Sequence, residues 1–186
     1  MTKQFVIVLL FAASLFAQKI TPNFSFVDST YRADYALFCS APNLSKQEML
    51  DILFRYHHVV EYMGKFNLTI TPIVENDTVS HVKLSYNYLI AKMTMEVIRN
   101  RSVDGSNVDF VMENYHRTKT ILPLILITQG DYVLEKKSGG WIVHYSNHVK
   151  MDREIGGVYQ SIIKRETRQY LKELQKYVEE QNELSL

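Results

Sequence analysis

The chain has 186 residues, of which 46% are hydrophobic and 22% are charged, and its formal net charge is +1. This composition is typical of one globular domain, and a chain of this length buries enough surface to fold without disulfides. The near-neutral charge gives no electrostatic reason to expect nucleic acid or an anionic membrane as a partner.

The first 17 residues have the pattern of a secretory signal peptide. Lys3 supplies a positive charge, the run from Phe5 to Phe16 is apolar but too short to span a bilayer, and Ala17 suits a cleavage site. We therefore predict a signal peptide at 1–17, a folded domain at 18–150 and a C-terminal helical extension at 151–186. An uncleaved membrane anchor is the alternative, although the apolar run does not continue beyond Ala17.

A second pattern also favours secretion. Five Asn-x-Ser/Thr sequons, which are acceptor sites for N-glycosylation, begin at Asn23, Asn43, Asn67, Asn76 and Asn100. The alternative is that they are ordinary polar turns. The single cysteine, Cys39, lies in an apolar patch, so we expect it to be buried, and a disulfide between two chains is the rival interpretation.

The segment before residue 67 is predicted to be mainly helical. Residues 18–30 contain Pro, Ser, Thr and Asn and predict an extended lead-in. Apolar side chains every three to four residues then predict a short helix over Asp28–Ser40. Ser45 and Glu48 form a capping box, and the apolar spacing that follows predicts one amphipathic helix of about five turns that ends at Gly64.

The segment after Phe66 is predicted to be a run of about five or six strands. The β-suited stretches are Asn67–Val74, Val79–Ile98, Val108–Thr118, Ile121–Lys136 and Trp141–Val149. Pro72 indicates an edge strand or a bulge, and a change of apolar face near Tyr88–Ile90 indicates a bulge or bend. Turns are expected at Asp104-Gly105 and Ser138-Gly139-Gly140. Helical periodicity returns over Met151–Leu184, which also offers a surface for coiled-coil pairing.

This order of elements predicts an α+β fold with N-terminal helices packed on a strongly curved antiparallel sheet, a cone, plus a C-terminal helix. The long helix, the curved strands and the closing Gly-Gly-Trp hairpin from Tyr132 to His148 make the chain resemble the nuclear-transport-factor-2-like superfamily, which includes the SnoaL-like proteins. The resemblance implies a conical cavity between helix and sheet, which some members use for ligands or catalysis.

Aromatic and methionine side chains on helix and strands are the candidate lining of such a cavity. The candidate residues of a small apolar ligand pocket are Tyr56, Met63, Tyr86 and Tyr115; the interpretation that we favour from the sequence is a well-packed core. A SnoaL-like enzyme would use an acidic residue with Tyr or His inside the cone, and the residues of those types are Asp109, Glu113, Tyr115, His116 and Tyr86. The acidic pair also fits a solvated strand face, so we assign no catalytic residue.

Neither a metal nor a cofactor is expected. His57 and His58 are adjacent on a helix and point about 100° apart, and His144 and His148 are separated by about 13 Å along one side of a strand. We expect that side to face outward, because the opposite side carries Trp141. The sequence lacks a zinc-protease motif, a phosphate-binding loop, a dinucleotide fingerprint and a serine-hydrolase elbow.

The sequence therefore predicts a secreted, extracellular glycoprotein that binds a small apolar ligand or an extracellular protein without catalysis. A cavity enzyme of the SnoaL type (isomerase, cyclase or hydrolase) is the second hypothesis, and a buried carboxylate beside Tyr or His would favour it. A structural oligomer, such as a homodimer linked through Cys39 or the terminal helix, is the third.

Overall fold

The computed structural model describes residues 23–64, 66, 68–88, 91–119 and 123–185. The strands that it describes are β1 (Asn23–Val27), β2 (Thr30–Cys39), β3 (Leu68–Glu75), β4 (Val79–Tyr88), β5 (Ala91–Arg101), β6 (Asn107–Arg117), β7 (Ile125–Lys137) and β8 (Gly140–Met151). The helices are α1 (Lys46–Phe54), α2 (Tyr56–Met63) and α3 (Gly157–Leu184). The signal peptide predicted at 1–17 lies outside the described residues and stays a prediction.

The eight strands form one curved, open antiparallel sheet with the order β1-β2-β8-β7-β6-β5-β4-β3. Every described strand pair is antiparallel, and β1 and β3 are the two edges. The predicted α+β class with a curved antiparallel sheet and a C-terminal helix is confirmed. We had expected the helices α1 and α2 to be N-terminal. Instead, they follow the two strands β1 and β2.

The helix predicted over Asp28–Ser40 is wrong, because this segment is strand β2. Buried and more exposed side chains alternate along β2, which is the two-residue period of a strand. The buried ones are residues 31, 33, 35, 37 and 39. Asp28 adopts a left-handed conformation (φ 51°) in the turn that joins β1 to β2. β2 then pairs along its whole length with β8, so sheet pairing outweighs a local periodicity that fits both structures.

The predicted five-turn helix is two helices that meet at Arg55, which has an extended backbone (φ −70°, ψ 135°). The capping box is confirmed: the Glu48 amide donates to Ser45 Oγ, and the Ser45 amide donates to Glu48 Oε2. The break is stabilised from outside the helix. The Tyr56 amide donates to Glu75 Oε2 at 2.6 Å, and the Arg55 guanidinium pairs with Asp77 at 3.1 Å.

The predicted strand turns are confirmed, with one change. Pro72 lies on an edge strand at a register shift, as expected. The change of face near Tyr88–Ile90 is not a bulge in one strand: Tyr88 pairs with Ala91, so β4 and β5 are two strands of a hairpin. Residues 89–90 themselves lie outside the described residues. Gly105 (φ 63°) and Gly139 (φ 81°) adopt left-handed conformations in the predicted turns, which favour glycine there.

The hydrophobic core lies between the sheet, the α1–α2 pair and the C-terminal half of α3. Leu171, Leu174 and Val178 are fully buried, so the segment predicted as an extension packs into the same core as the domain. The apolar stripe of α3 that we considered for coiled-coil pairing is therefore already packed within the chain. Cys39 is a free, fully buried cysteine, as expected, and burial raises the pKa of its thiol. No helix in the described part of the chain is long and apolar enough to cross a membrane.

Candidate functional site

Two adjoining cavities lie between the curved sheet and the N-terminal half of α3. The first, the inner cavity, has a volume of about 290 Å³, and the second, the outer cavity, has about 340 Å³. Both are lined by Tyr86, Met112, Glu166 and Thr167, so they adjoin along these side chains. Each volume is in the lower range of natural small-molecule sites, and together they are well inside it.

The outer cavity is lined mainly by aliphatic and thioether side chains. Met93 and Met95 project from β5, Met151 ends β8, and Ile162 and Ile163 come from α3. Methionine side chains are flexible and adapt to ligands of irregular shape. The lining of the outer cavity therefore suits a flexible hydrocarbon better than a rigid polar molecule.

The inner cavity is lined by a group of tyrosines. Tyr132, Tyr145 and Tyr170 are among its walls, and Tyr62 packs against Tyr170 with ring centroids 5.8 Å apart. The hydroxyls of Tyr132 and Tyr170 form a hydrogen bond of 2.6 Å. Burial raises the pKa of all four phenols well above the ordinary value of 10, so they remain neutral at physiological pH.

A single buried cation, Arg99, also lines the inner cavity. It projects from β5 and is 4% exposed, and its Nη1 has no hydrogen-bond partner among the described residues. Its guanidinium forms no ion pair with a carboxylate in the part of the chain that the structure describes. A buried charge without a partner is costly, so Arg99 is the most unusual group in the cavity.

The carboxylate that lines both cavities, Glu166, has a partner outside them. Its side chain is 34% exposed and accepts from Arg165 Nη2 at 2.9 Å. The outer cavity also contains two buried polar atoms that have no hydrogen-bond partner among the described residues, Thr128 Oγ1 and Asn147 Oδ1. These two residues lie on the neighbouring strands β7 and β8, at diagonal positions of the ladder.

The structure brings together three of the four residues that we predicted for the pocket. Met63 lines the inner cavity, Tyr115 lines the outer cavity, and Tyr86 lines both. Tyr56 lines neither cavity: it is half-buried near the edge strand, and its hydroxyl donates to the Ile70 carbonyl at 3.3 Å. Tyr115 faces inward because β6 shifts register at Asn114, which has φ 52°.

The other candidate catalytic residues lie outside the cavities. Asp109, Glu113 and His116 are exposed on β6, which agrees with the solvated-face interpretation of the two acids. Among the described lining residues, the one carboxylate is the partly exposed Glu166, and no histidine is present. The arrangement of a buried carboxylate beside Tyr or His, which would have favoured an enzyme, is therefore absent from the described lining.

The histidines occupy structural or surface positions. His58 Nδ1 lies 2.8 Å from the Tyr177 hydroxyl, and burial lowers the pKa of this imidazole. His57 is exposed beside it, so neither residue lines a cavity. His144 is exposed on the face of β8 opposite Trp141, as expected, and pairs with Glu135 at 3.2 Å. No three His, Cys, Asp or Glu side chains cluster as metal ligands anywhere in the described residues.

Four of the five sequon asparagines are described, and all four are exposed. Asn23 is on the edge strand β1, Asn43 precedes α1, and Asn100 is near the end of β5. Asn76 accepts hydrogen bonds from the amides of Thr78 and Val79 in the turn before β4. The sequon at Asn67 lies outside the described residues.

Most of the lining residues were not predicted by our sequence analysis, and the charged ones among them are Arg99 and Glu166. Arg99 continues the alternation Met93, Met95, Val97 on the inward face of its strand, so a charged residue in an apolar face was a visible signal. Glu166 lies in the gap of the apolar stripe of the last helix. The helix faces the cavity at this interruption of its apolar residues. The sequence pattern shows the interruption but does not show that a cavity lies opposite it.

No family model matches the chain, and no curated protein is significantly similar to it in sequence. Solved structures nevertheless have the same fold. The Zhui aromatase/cyclase from Streptomyces sp. R1128 is 10% identical, with a TM-score of 0.56 over 81% of this chain and 94% of its own. A STAR-related lipid transfer protein fragment from Xanthomonas axonopodis is 12% identical, with a TM-score of 0.57 over 84% of this chain and 98% of its own.

A third similar structure is the major latex-like protein 151 from Panax ginseng. It is 12% identical, with a TM-score of 0.56 over 83% of this chain and 98% of its own. At these identities the comparison establishes the fold alone: a cone-like sheet with a helix across it. The cone that the superfamily resemblance implied is confirmed at this level, and the neighbours are of the cyclase and lipid-transfer type.

Proposed function

We propose that this protein binds a small apolar molecule in the joined cavity between the sheet and α3. The observation that carries the proposal is the pair of largely apolar cavities that adjoin along Tyr86, Met112, Glu166 and Thr167. A filled core would have placed side chains in this space, because protein interiors are normally packed to the density of organic crystals. A space of this size with apolar walls and few polar groups is typical of a ligand site.

The solved structures of the same fold support this proposal. Among them are a STAR-related lipid transfer protein and an aromatase/cyclase. For this chain we favour binding without chemistry, since the described lining offers no buried carboxylate and no histidine. The Tyr132–Tyr170 hydroxyl pair beside Arg99 favours the second candidate, a cavity enzyme, because such donors can polarise a carbonyl group.

Filling the cavity tests the proposal. Met112→Trp places a larger side chain where the two cavities join, and we expect it to weaken the binding of the uncharged apolar dye Nile red at least tenfold. The matched control is Glu113→Trp, which puts the same side chain at the adjacent exposed position. Overpacking costs about 1–3 kcal/mol, so both variants are first checked for cooperative unfolding.

Equal dye affinity in the wild type and in both tryptophan variants would contradict the cavity as the binding site. The two candidate functions are then separated by mass spectrometry of the molecule that co-purifies with the protein from its source. A binding protein releases that molecule unchanged after prolonged incubation. The appearance of a second, related mass over time would favour the enzyme.

We further propose that the protein is secreted, extracellular and N-glycosylated. The leader-like residues 1–17 and the exposure of Asn23, Asn43, Asn76 and Asn100 support this proposal. Glycosidase treatment of protein from its source is expected to lower its mass. Protein recovered from the cytosol with no mass shift would overturn the proposal.

A homodimer linked by a disulfide at Cys39 is less favoured than a monomer. The thiol is fully buried, so it could reach a second chain only after local unfolding of β2. Migration as a monomer on a non-reducing gel is the expected result.

A further inference from the structure

We propose that the ligand of this cavity is a long-chain carboxylate whose head group pairs with Arg99 while its hydrocarbon chain occupies the outer cavity. This inference rests on the proposed binding function and names the chemical class of the ligand. It starts from the buried guanidinium of Arg99, whose Nη1 has no partner in the described structure.

Among the described residues, no carboxylate forms an ion pair with Arg99. Arginine stays protonated in proteins, so it cannot avoid the cost of burial by losing its charge. The nearby phenols of Tyr62, Tyr132 and Tyr170 are held neutral by burial and cannot supply a negative charge. Glu166 already pairs with Arg165 at 2.9 Å and is partly exposed. An anionic ligand group would therefore remove an existing electrostatic penalty.

The identity of the anion follows from the number of charges and the geometry. Arg99 is the one cation among the described residues that line the inner cavity. A carboxylate carries one negative charge and accepts two parallel hydrogen bonds from a guanidinium, whereas a phosphate monoester carries nearly two charges at pH 7. One buried arginine therefore matches a carboxylate better than it matches a phosphate.

The rest of the ligand follows from the walls of the space. Aromatic rings surround Arg99, and the outer cavity is lined by Met93, Met95, Ile162 and Ile163. Because the two cavities share the wall residues Met112 and Thr167, a flexible molecule that passes between these side chains reaches both. A saturated chain with a terminal carboxylate has this distribution of charge and apolar surface.

The test compares probes that share a chain and differ in the head group. Binding of palmitate, hexadecanol and hexadecyl phosphate to the full chain is measured by displacement of Nile red. A charge-assisted hydrogen bond in a buried site corresponds to a preference of roughly tenfold to a hundredfold, so palmitate should bind more tightly than hexadecanol by that factor. Palmitate should also bind more tightly than the phosphate.

Substitution of Arg99 assigns the preference to this residue. In Arg99→Met, which keeps an unbranched side chain without charge, the preference for palmitate over hexadecanol should fall to less than threefold while hexadecanol still binds. Arg99→Lys should retain part of the preference. The matched control is Arg32→Met on the exposed side of β2, which should leave it unchanged. Removal of a buried unpaired charge should also raise the urea midpoint of the empty protein.

The outcomes separate this inference from the proposed function. If the wild type binds palmitate and hexadecanol equally, or if Arg99→Met keeps the preference, the carboxylate assignment is overturned while apolar binding stands. Tighter binding of hexadecyl phosphate would overturn the carboxylate in favour of a phosphate. If no probe displaces the dye and the dye itself does not bind, both proposals fail. The wild-type comparison of probes decides the matter even if Arg99→Met does not fold.

Discussion

The two halves of α3 differ in how fully their apolar side chains are buried, although they belong to one continuous helix. In the C-terminal half Leu171, Leu174 and Val178 are 0% exposed, packed among the sheet, α1 and α2. In the N-terminal half Ile162 and Ile163 are half-buried and line the outer cavity. The same amphipathic helix thus closes one end of the molecule and leaves a cavity at the other.

The difference comes from what lies opposite each half. The C-terminal half faces α2, where His58 contacts Tyr177 at 2.8 Å and Tyr62 packs on the same ring. It is also tied to the end of β2, because Gln175 donates to the Phe38 carbonyl at 2.8 Å. In the N-terminal half, the Thr167 hydroxyl lies 3.1 Å from the Tyr31 hydroxyl on β2. The cavity is the space that remains where the sheet extends beyond the α1–α2 pair.

The largest expected effect is a difference in stability between the two halves. Leu174→Ala removes a fully buried side chain and should lower the free energy of unfolding by about 2–5 kcal/mol. Ile163→Ala, in the half that borders the cavity, should cost only about 1 kcal/mol because that side chain is already partly solvated. Urea denaturation measures both losses of stability. Equal losses would contradict the distinction between the closed end of the molecule, around the C-terminal half of α3, and the open end, around its N-terminal half.

A second comparison concerns buried polar groups at the closed end. Trp141 Nε1 donates to the Leu44 carbonyl at 3.0 Å in a buried position, and Lys136 Nζ reaches the same carbonyl at 3.4 Å. Trp141→Phe should therefore lower the free energy of unfolding by about 1–3 kcal/mol, through the lost hydrogen bond and the smaller ring. The measurement is again urea denaturation. An unchanged midpoint would show that this hydrogen bond does not contribute to the stability of the closed end.

At the open end the opposite sign is expected for a polar group without a partner. Thr128→Val replaces a buried hydroxyl that has no partner in the described structure with a methyl group of similar size. This should stabilise the empty protein by about 1 kcal/mol, because the penalty for an unsatisfied buried group is removed. A loss of stability in Thr128→Val would indicate that the hydroxyl already has a partner in the empty protein, and thermal unfolding without added ligand measures the sign.

The smallest expected effect is a pH dependence at the closed end. Burial lowers the folded-state pKa of His58 below its unfolded value of about 6.5, so the unfolded chain binds the proton more readily. The contribution of His58 to stability should be complete above pH 6.5 and be lost as the pH falls through the lowered folded-state pKa. The urea midpoint of His58→Gln should therefore fall less between pH 7.5 and pH 5 than that of the wild type.

His57→Gln is the matched control for this pH effect, because His57 is exposed on the same helix. The control should lie between the wild-type and His58→Gln curves and nearer to the wild type, because His57 also lowers the pKa of His58, although less than burial does. A His57→Gln curve as flat as that of His58→Gln would mean that the pH dependence does not come from the buried contact between His58 and Tyr177.

Local sequence patterns predicted the structure well where a single chemical signal decided it. The Ser45–Glu48 capping box, the glycine turns at Gly105 and Gly139, and the edge position of Pro72 were all predicted from the residues themselves. These features depend on hydrogen bonds and backbone conformations within a few residues. Alternation along the strands likewise predicted that His144 faces away from Trp141.

Predictions failed where the partner of a segment lay far away in the sequence. The residues of β2 fit both a helix and a strand, and the pairing with β8, more than a hundred residues later, decided between them. The five-turn helix was divided at Arg55 because Glu75 and Asp77 accept from the residues at the break. Such contacts are invisible to a local periodicity.

By itself, the sequence determined the α+β class, the apolar stripes of the helices and the inward face of β5 that carries Arg99. The tertiary structure decided that the long C-terminal helix covers the sheet, and that the α1–α2 pair fills only one end beneath it. Burial depends on how the layers of the fold pack together. Leu174 and Ile163 are both apolar side chains of α3, yet Leu174 is fully buried whereas Ile163 borders a cavity. The charge of Arg99 therefore became evidence for a ligand only when its surroundings were known.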